Sequence, residues 1–168
     1  METEKIINPP PNLIVFSGHT EEWDAYQESL FQVFCKTIVE ARLTFQGMPV
    51  NPRRFPEEKG KHFTFWHLIS EGEKEEDRTP DLRRCERLDW VAWVIQNCES
   101  NPDISYWESR RKRSKNFVIW YEKGEFAVVI ARRSRYFVLL SAYHVMSGHR
   151  INAFIREREE YRKSLKKS

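Results

Sequence analysis

Apolar positions recur at helical spacing in the first quarter of the chain, where Trp23, Tyr26, Leu30, Phe34, Ile38 and Ala41 follow Thr20 as a helix cap and Glu21 and Glu22 in the first turn. This pattern predicts a long amphipathic helix. Leu43 to Val50 contains Gly47 and Pro49 and is followed by Pro52, which fits a short hairpin or edge strand with a loop running on to Lys61. The aromatic segment His62 to Ile69 reads as a strand entering a turn, because Gly72 and the charged run Glu73 to Arg78 continue no apolar pattern and predict a solvated loop. Thr79 and Pro80 then predict an N-cap with proline at the first helical position, and Leu82, Cys85, Leu88, Ala92 and Ile95 form the stripe of a second helix.

Beyond Pro102 the period changes. Ile104 to Trp107, Asn116 to Tyr121, Phe126 to Ala131 and Tyr136 to Val145 are β-branched or aromatic runs separated by short polar turns, and they predict a four-stranded antiparallel meander. After Ser147 and Gly148, charge dominates and only Ile151, Phe154, Ile155 and Leu165 can pack, so a peripheral C-terminal helix is expected. The fold class expected is α+β, with N-terminal helices packed on the meander. The 168 residues suit one domain, since roughly 100 to 200 residues per domain is usual. Within it, 1–19 is an extended arm carrying Pro9 to Pro11 and the patch Leu13 to Phe16, 20–145 is the core, and 146–168 is the charged helix.

Composition narrows the setting. Aromatic residues make up 14% of the chain, too many for a disordered segment. No apolar run approaches the roughly 20 residues needed to span a bilayer, and no N-terminal stretch has the form of a secretory signal. A cytoplasmic protein with no membrane partner is expected. Cys35, Cys85 and Cys98 are odd in number and form no CxxC pair, which suits reduced, buried thiols.

Net charge is only +3, but Arg110, Arg111, Lys112, Arg113, Lys115, Lys123, Arg132, Arg133 and Arg135 face only Glu122 and Glu125 in their span. Alternate turns of a meander share one sheet end. Arg110, Arg111, Arg113, Arg132, Arg133 and Arg135 are therefore candidates for RNA contact, with Trp107, Trp120 or Tyr136 to stack bases. Two merely solvated turns are the competing reading.

Candidate chemistry is sparse. His62 and His67 are five apart, which suits one shared metal on neither a strand nor a helix, and no CxxC or HExxH is present, so neither metal nor cofactor is expected. His67 is either a hydrogen-bonded core histidine or a general acid or base. Ser141 and Tyr143 are two apart on the last strand and share a face, while Ala142 and His144 share the other. Arg84 and Arg87 neighbour each other on the second helix and either point along the sheet or pair with Asp81, Glu86 or Asp89.

With HFTFWHLIS at 62–70, RRCERLDW at 83–90 and YFVLLSAYHV at 136–145, this arrangement resembles the barnase, EndoU, colicin-type tRNase and RelE ribonuclease superfamily, in its phage-associated and toxin-associated branch. The resemblance covers about Leu43 to Val145. It implies metal-independent RNA cleavage by attack of the ribose 2′-hydroxyl on the adjacent phosphate. It also implies roles for His67 as acid or base, for Arg84 or Arg87 and Arg132 in holding the phosphate, and for Ser141 and Tyr143 in completing the pocket. The general acid and base remain open among His62, His67 and His144. RNA, whether tRNA or mRNA, would be the substrate, and an antitoxin or immunity protein would be the partner.

Two other readings stand beside it. A non-catalytic nucleic-acid-binding module would keep the basic turns without convergence of His67, Ser141 and Tyr143. A protein-interaction domain, such as an antitoxin or adaptor, would use exposed aromatics and arginines against an acidic partner.

Overall fold

The last strand of the core, β8 (Phe137–His144), lies at the centre of a six-stranded mixed sheet in the computed structural model, which describes residues 7–109, 115–145 and 147–167. Strands β5 (Ile104–Ser109), β6 (Asn116–Tyr121), β7 (Phe126–Arg132) and β8 pair successively antiparallel, as the alternating runs predict. The sheet does not stop there. A hairpin of β1 (Thr44–Phe45) and β2 (Met48–Asn51) joins it through parallel pairing of β2 with β8, giving the order β1-β2-β8-β7-β6-β5. The four-stranded meander is thus part of a wider sheet. Gln46 and Gly47 turn the hairpin with φ of 49° and 77°, the conformation such tight turns require.

Five α-helices flank the sheet among the described residues. Helix α1 (Trp23–Phe34) follows a 3-10 turn at Thr20–Glu22 and runs on as a π-helical turn at Cys35–Val39, burying Tyr26, Leu30, Phe34 and Ile38. Helix α2 (Phe63–Ile69) occupies the segment expected as a strand. Its buried Thr64, Phe65, Leu68 and Ile69 sit at helical spacing, and a short aromatic run fits either period until a partner surface selects one.

Thr79 and Pro80 also depart from expectation. They form β4 (Thr79–Pro80), paired with β3 (Ser70–Glu71) in a two-stranded ribbon. The cap of the next helix is Asp81, which accepts a hydrogen bond from the Arg83 backbone N–H at 2.9 Å. That helix breaks at Arg87 into α3 (Leu82–Glu86) and α4 (Leu88–Asn97).

Helices α1 to α4 cover one sheet face, where Phe34, Phe45, Phe65, Phe126 and Phe137 are buried in one cluster. Each such side chain contributes about 2–3 kcal/mol of burial free energy at most. Helix α5 (Gly148–Lys166) covers the other face with Phe154 against Trp107 and Trp120. The N-terminal segment docks on α3 and α4, since Ile14 N–H bonds the Glu86 carbonyl and the Pro11 carbonyl accepts from the Trp90 indole. Cys85 and Cys98 are buried free thiols, pushed up to about 12 by burial. Among the described residues no helix is long and apolar enough to cross a membrane.

A bulge in β8 decides which side chains face which helices. Val129 pairs with Ser141 and Ile130 with Leu139, which leaves Leu140 as an extra residue. Before it, Phe137 and Leu139 face α1 to α4, and after it Ala142 does. The alternation is inverted for the rest of the strand.

A candidate active site at the end of strand β8

The inverted alternation carries His144 to the face occupied by α3, and puts Ser141 and Tyr143 on the face of α5. Beside His144 opens a polar cleft of about 290 Å³, lined by Arg83 and Arg84 of α3, Tyr143 and His144 of β8, and Ser147 and Arg150 at the start of α5. Glu71 and Asp81 supply carboxylates to its wall.

Local structure fixes several of these groups. Arg84 Nη1 donates to the Ser70 carbonyl at 2.7 Å, while its Nε lies 3.7 Å from Asp81 Oδ2 and, though buried, has no hydrogen-bond partner. Arg87, at the helix break, donates from Nη1 to the Arg83 carbonyl at 3.1 Å and stacks its guanidinium 5.4 Å from the Trp90 ring. Its Nε is likewise buried without a partner. The Arg150 guanidinium stands 5.6 Å from the Tyr143 ring.

His144 supplies the imidazole of the cleft. Its Nδ1 is buried without a hydrogen-bond partner among the described residues, and Nε2 lies 3.6 Å from Glu125 Oε2, too far for a strong bond. Burial, then the Arg87 guanidinium, lower its pKa below the ordinary histidine value, with Glu125 opposing and Arg83 assisting. The imidazole is therefore neutral near pH 7 and can accept a proton. Guanidinium groups around it can hold an anion that develops charge.

The sequence-derived constellation is not brought together. His67 lies in a different cleft, of about 710 Å³, where its Nε2 is 2.9 Å from Glu75 Oε1 and its ring packs 4.3 Å from Phe63. Ser141 lies on the α5 face, opposite Arg84 and Arg87, because of the bulge at Leu140. Tyr143 shares that face with Ser141, as expected, but sits at the strand end and reaches the His144 cleft. Of the two helix arginines, Arg84 lines the cleft and Arg87 acts on His144 from beside it. His62 packs against Phe31 and Phe34, with its pKa lowered by burial and Arg54.

The basic turn from Arg132 to Arg135 lies at the other end of β8, roughly 23 Å away for seven residues of strand. Arg132 N–H bonds the Lys115 carbonyl at 2.9 Å, and Arg132, Arg133 and Arg135 are exposed. Arg110, Arg111 and Arg113 lie outside the described residues. Trp107 and Trp120 are buried under α5 and cannot stack bases there, whereas Tyr136 is 39% exposed.

Arg83, Ser147 and Arg150 were not singled out by sequence. Arg83 opens the RRCER run, but nothing in a charged C-terminal helix distinguishes Arg150 from its other arginines. Among the described residues no three His, Cys, Asp or Glu side chains group closely enough to hold a metal ion. The chain matches no protein-family model, no curated protein and no solved structure.

Proposed function

We propose that this protein is a metal-independent endoribonuclease whose general base is His144. The observation that carries the reading is a half-buried imidazole, its pKa lowered by burial and by Arg87, set beside the guanidinium groups of Arg83, Arg84 and Arg87. His144 takes the proton of the ribose 2′-hydroxyl as that oxygen attacks the adjacent phosphorus. The bond to the 5′-oxygen breaks, and the Tyr143 hydroxyl supplies the proton to the leaving group. Arg83, Arg84 and Arg150 offset the charge gathering on the phosphoryl oxygens. The products are a 2′,3′-cyclic phosphate and a 5′-hydroxyl.

Antiparallel strands β5 to β8, with the site at the end of the last, support the ribonuclease superfamily resemblance. A cytoplasmic toxin acting on tRNA or mRNA, restrained by a cognate antitoxin or immunity protein, is the role that resemblance suggests.

The test is incubation of wild-type, His144→Ala and His67→Ala protein with total RNA and tRNA in excess EDTA, with the ends of the products identified. Cyclic phosphate ends, lost by about 100-fold or more in His144→Ala and retained in His67→Ala, are expected. Equal cleavage by wild type and His144→Ala rejects the assignment.

A binding module without catalysis is the second reading, favoured by the exposed Arg132, Arg133 and Arg135 beside Lys115, far from His144. RNA retained by wild type but never cut would select it.

A further inference from the structure

The cleft that holds His67 has a chemistry opposite to that of the His144 cleft. Its walls include Trp23 of α1 and Phe63 and Trp66 of α2, all half-buried, so that aromatic surface borders a space of about 710 Å³. That volume suits a small organic ligand, for which sites of roughly 300 to 1,000 Å³ are usual.

Charge identifies the ligand class. Five carboxylates line the cleft, those of Asp24, Glu57, Glu58, Glu75 and Glu76, against two cations, Lys59 and Arg78. Arg78 is committed to the fold, donating to Ser70 Oγ and to the carbonyls of Gly72, His67 and Ser70. Among the described residues no basic side chain pairs with Asp24, Glu58 or Glu76. An RNA phosphate would meet this lip at a cost.

The rings already attract cations from within the chain. The Arg53 guanidinium stands 4.6 Å from the Phe63 centroid, and the Lys59 ammonium stands 6.0 Å from that of Trp66, at the outer limit of such an interaction. The Trp66 face is therefore left with a weak occupant beside uncompensated carboxylates.

We propose that this cleft binds an organic cation, an alkylammonium or guanidinium group held between the Trp66 face and the carboxylates of Asp24 and Glu76. The two sources of such a group are a free polyamine and a basic side chain on a polypeptide. The site is independent of the ribonuclease reading.

Titration of the full chain, followed by calorimetry and tryptophan fluorescence, tests this with three probes. These are spermidine, the peptide acetyl-Gly-Arg-Gly-amide, and its citrulline counterpart, which keeps the shape and lacks the charge. Saturable binding of spermidine or the arginine peptide is expected, with the tighter one identifying the source, and with citrulline about tenfold weaker or worse. Trp66→Leu should weaken binding by a similar factor. Because the Trp66 indole also bonds the Glu58 carbonyl, the double variant Asp24→Asn/Glu76→Gln provides a test that leaves packing untouched, and it too should weaken binding about tenfold. Lys59→Met, which removes the competing cation, should tighten it. No saturable binding by either cation, equal binding of the citrulline peptide, or an unchanged affinity in the double variant overturns the proposal.

Discussion

Arg78 and Arg84 donate to the same oxygen, the Ser70 carbonyl, each at 2.7 Å. One backbone acceptor thus joins the wall of the His67 cleft to the wall of the His144 cleft across the β3–β4 ribbon. The two arginines differ in what else they do. Arg78 makes three further bonds to Ser70 Oγ and to the Gly72 and His67 carbonyls, whereas Arg84 leaves its Nε unpartnered beside the candidate active site.

That difference predicts opposite phenotypes. Arg78→Ala should lower stability by about 2 kcal/mol, because it strands backbone acceptors in a half-buried setting. Arg78→Lys should not restore it, since an ammonium cannot span four acceptors. Arg84→Ala should cost less stability but about 100-fold in kcat, having removed a charge from the proposed phosphate site. Urea denaturation and single-turnover cleavage of the two variants separate these effects; a larger kcat loss in Arg78→Ala would contradict the assignment.

The pH profile of the proposed cleavage follows from the environment of His144. Its pKa is lowered by burial and Arg87 and raised by Glu125, and only the neutral imidazole can act as base. kcat/KM should therefore rise with pH through a value below the ordinary histidine range and level off by neutrality. Arg87→Met removes a lowering influence and should move this acid limb to higher pH. Glu125→Gln removes a raising influence and should move it to lower pH. Limbs that shift in the same direction, or not at all, would show that another group controls the rate.

Much of this architecture is written in local pattern. The meander strands, the amphipathic α1 and the charged α5 each follow from their own period and need no partner to be recognised. The errors arise where a partner decides. The HFTFWHLI run became a helix because its aromatic residues satisfy either period, and contacts between α2 and β8 settle which one forms. The sequence-derived constellation separates for a sharper reason. Ser141 and Tyr143 do share a face, but the extra residue at Leu140 turns that face from α3 toward α5 and turns His144 the other way. Bulges arise from cross-strand register, and no feature of VLLSAYH within one strand announces an unpaired leucine. Only the register of the sheet brings His144, one of the alternatives the sequence leaves open, to the α3 face.

Gly124 shows how closely the turn beside His144 is packed. A Cβ there would lie 2.5 Å from Tyr121 Cδ1 and 2.7 Å from Trp90 Cζ3, and those rings are themselves wedged edge-on at 5.8 Å between centroids. Rigid rings cannot yield as a flexible chain end would. Gly124→Ala should therefore destabilise the protein by about 1–3 kcal/mol. Because the Glu125 carbonyl accepts from Val145 N–H at 2.6 Å, the same variant should also disturb the strand end that carries His144. A denaturant midpoint equal to that of wild type would show that the turn relaxes freely.

The distant basic turn of Arg132 to Arg135 allows binding to be separated from the proposed chemistry. Arg132, Arg133 and Arg135 are exposed and stand at the opposite end of β8 from His144, so they can hold a polyanion but cannot touch a phosphate being cleaved beside the imidazole. Replacing all three by glutamate should raise KM for RNA and reduce the salt dependence of binding, by roughly 0.7 in the log–log slope for each lost contact to single-stranded phosphate. kcat at saturating RNA should stay unchanged, because the groups around the reacting phosphorus remain. Steady-state cleavage across a salt series measures both quantities at once. A fall in kcat with KM preserved would place the reacting phosphate at the basic end and remove His144 from the mechanism, whereas an unchanged KM and slope would leave those arginines as solvated turn residues.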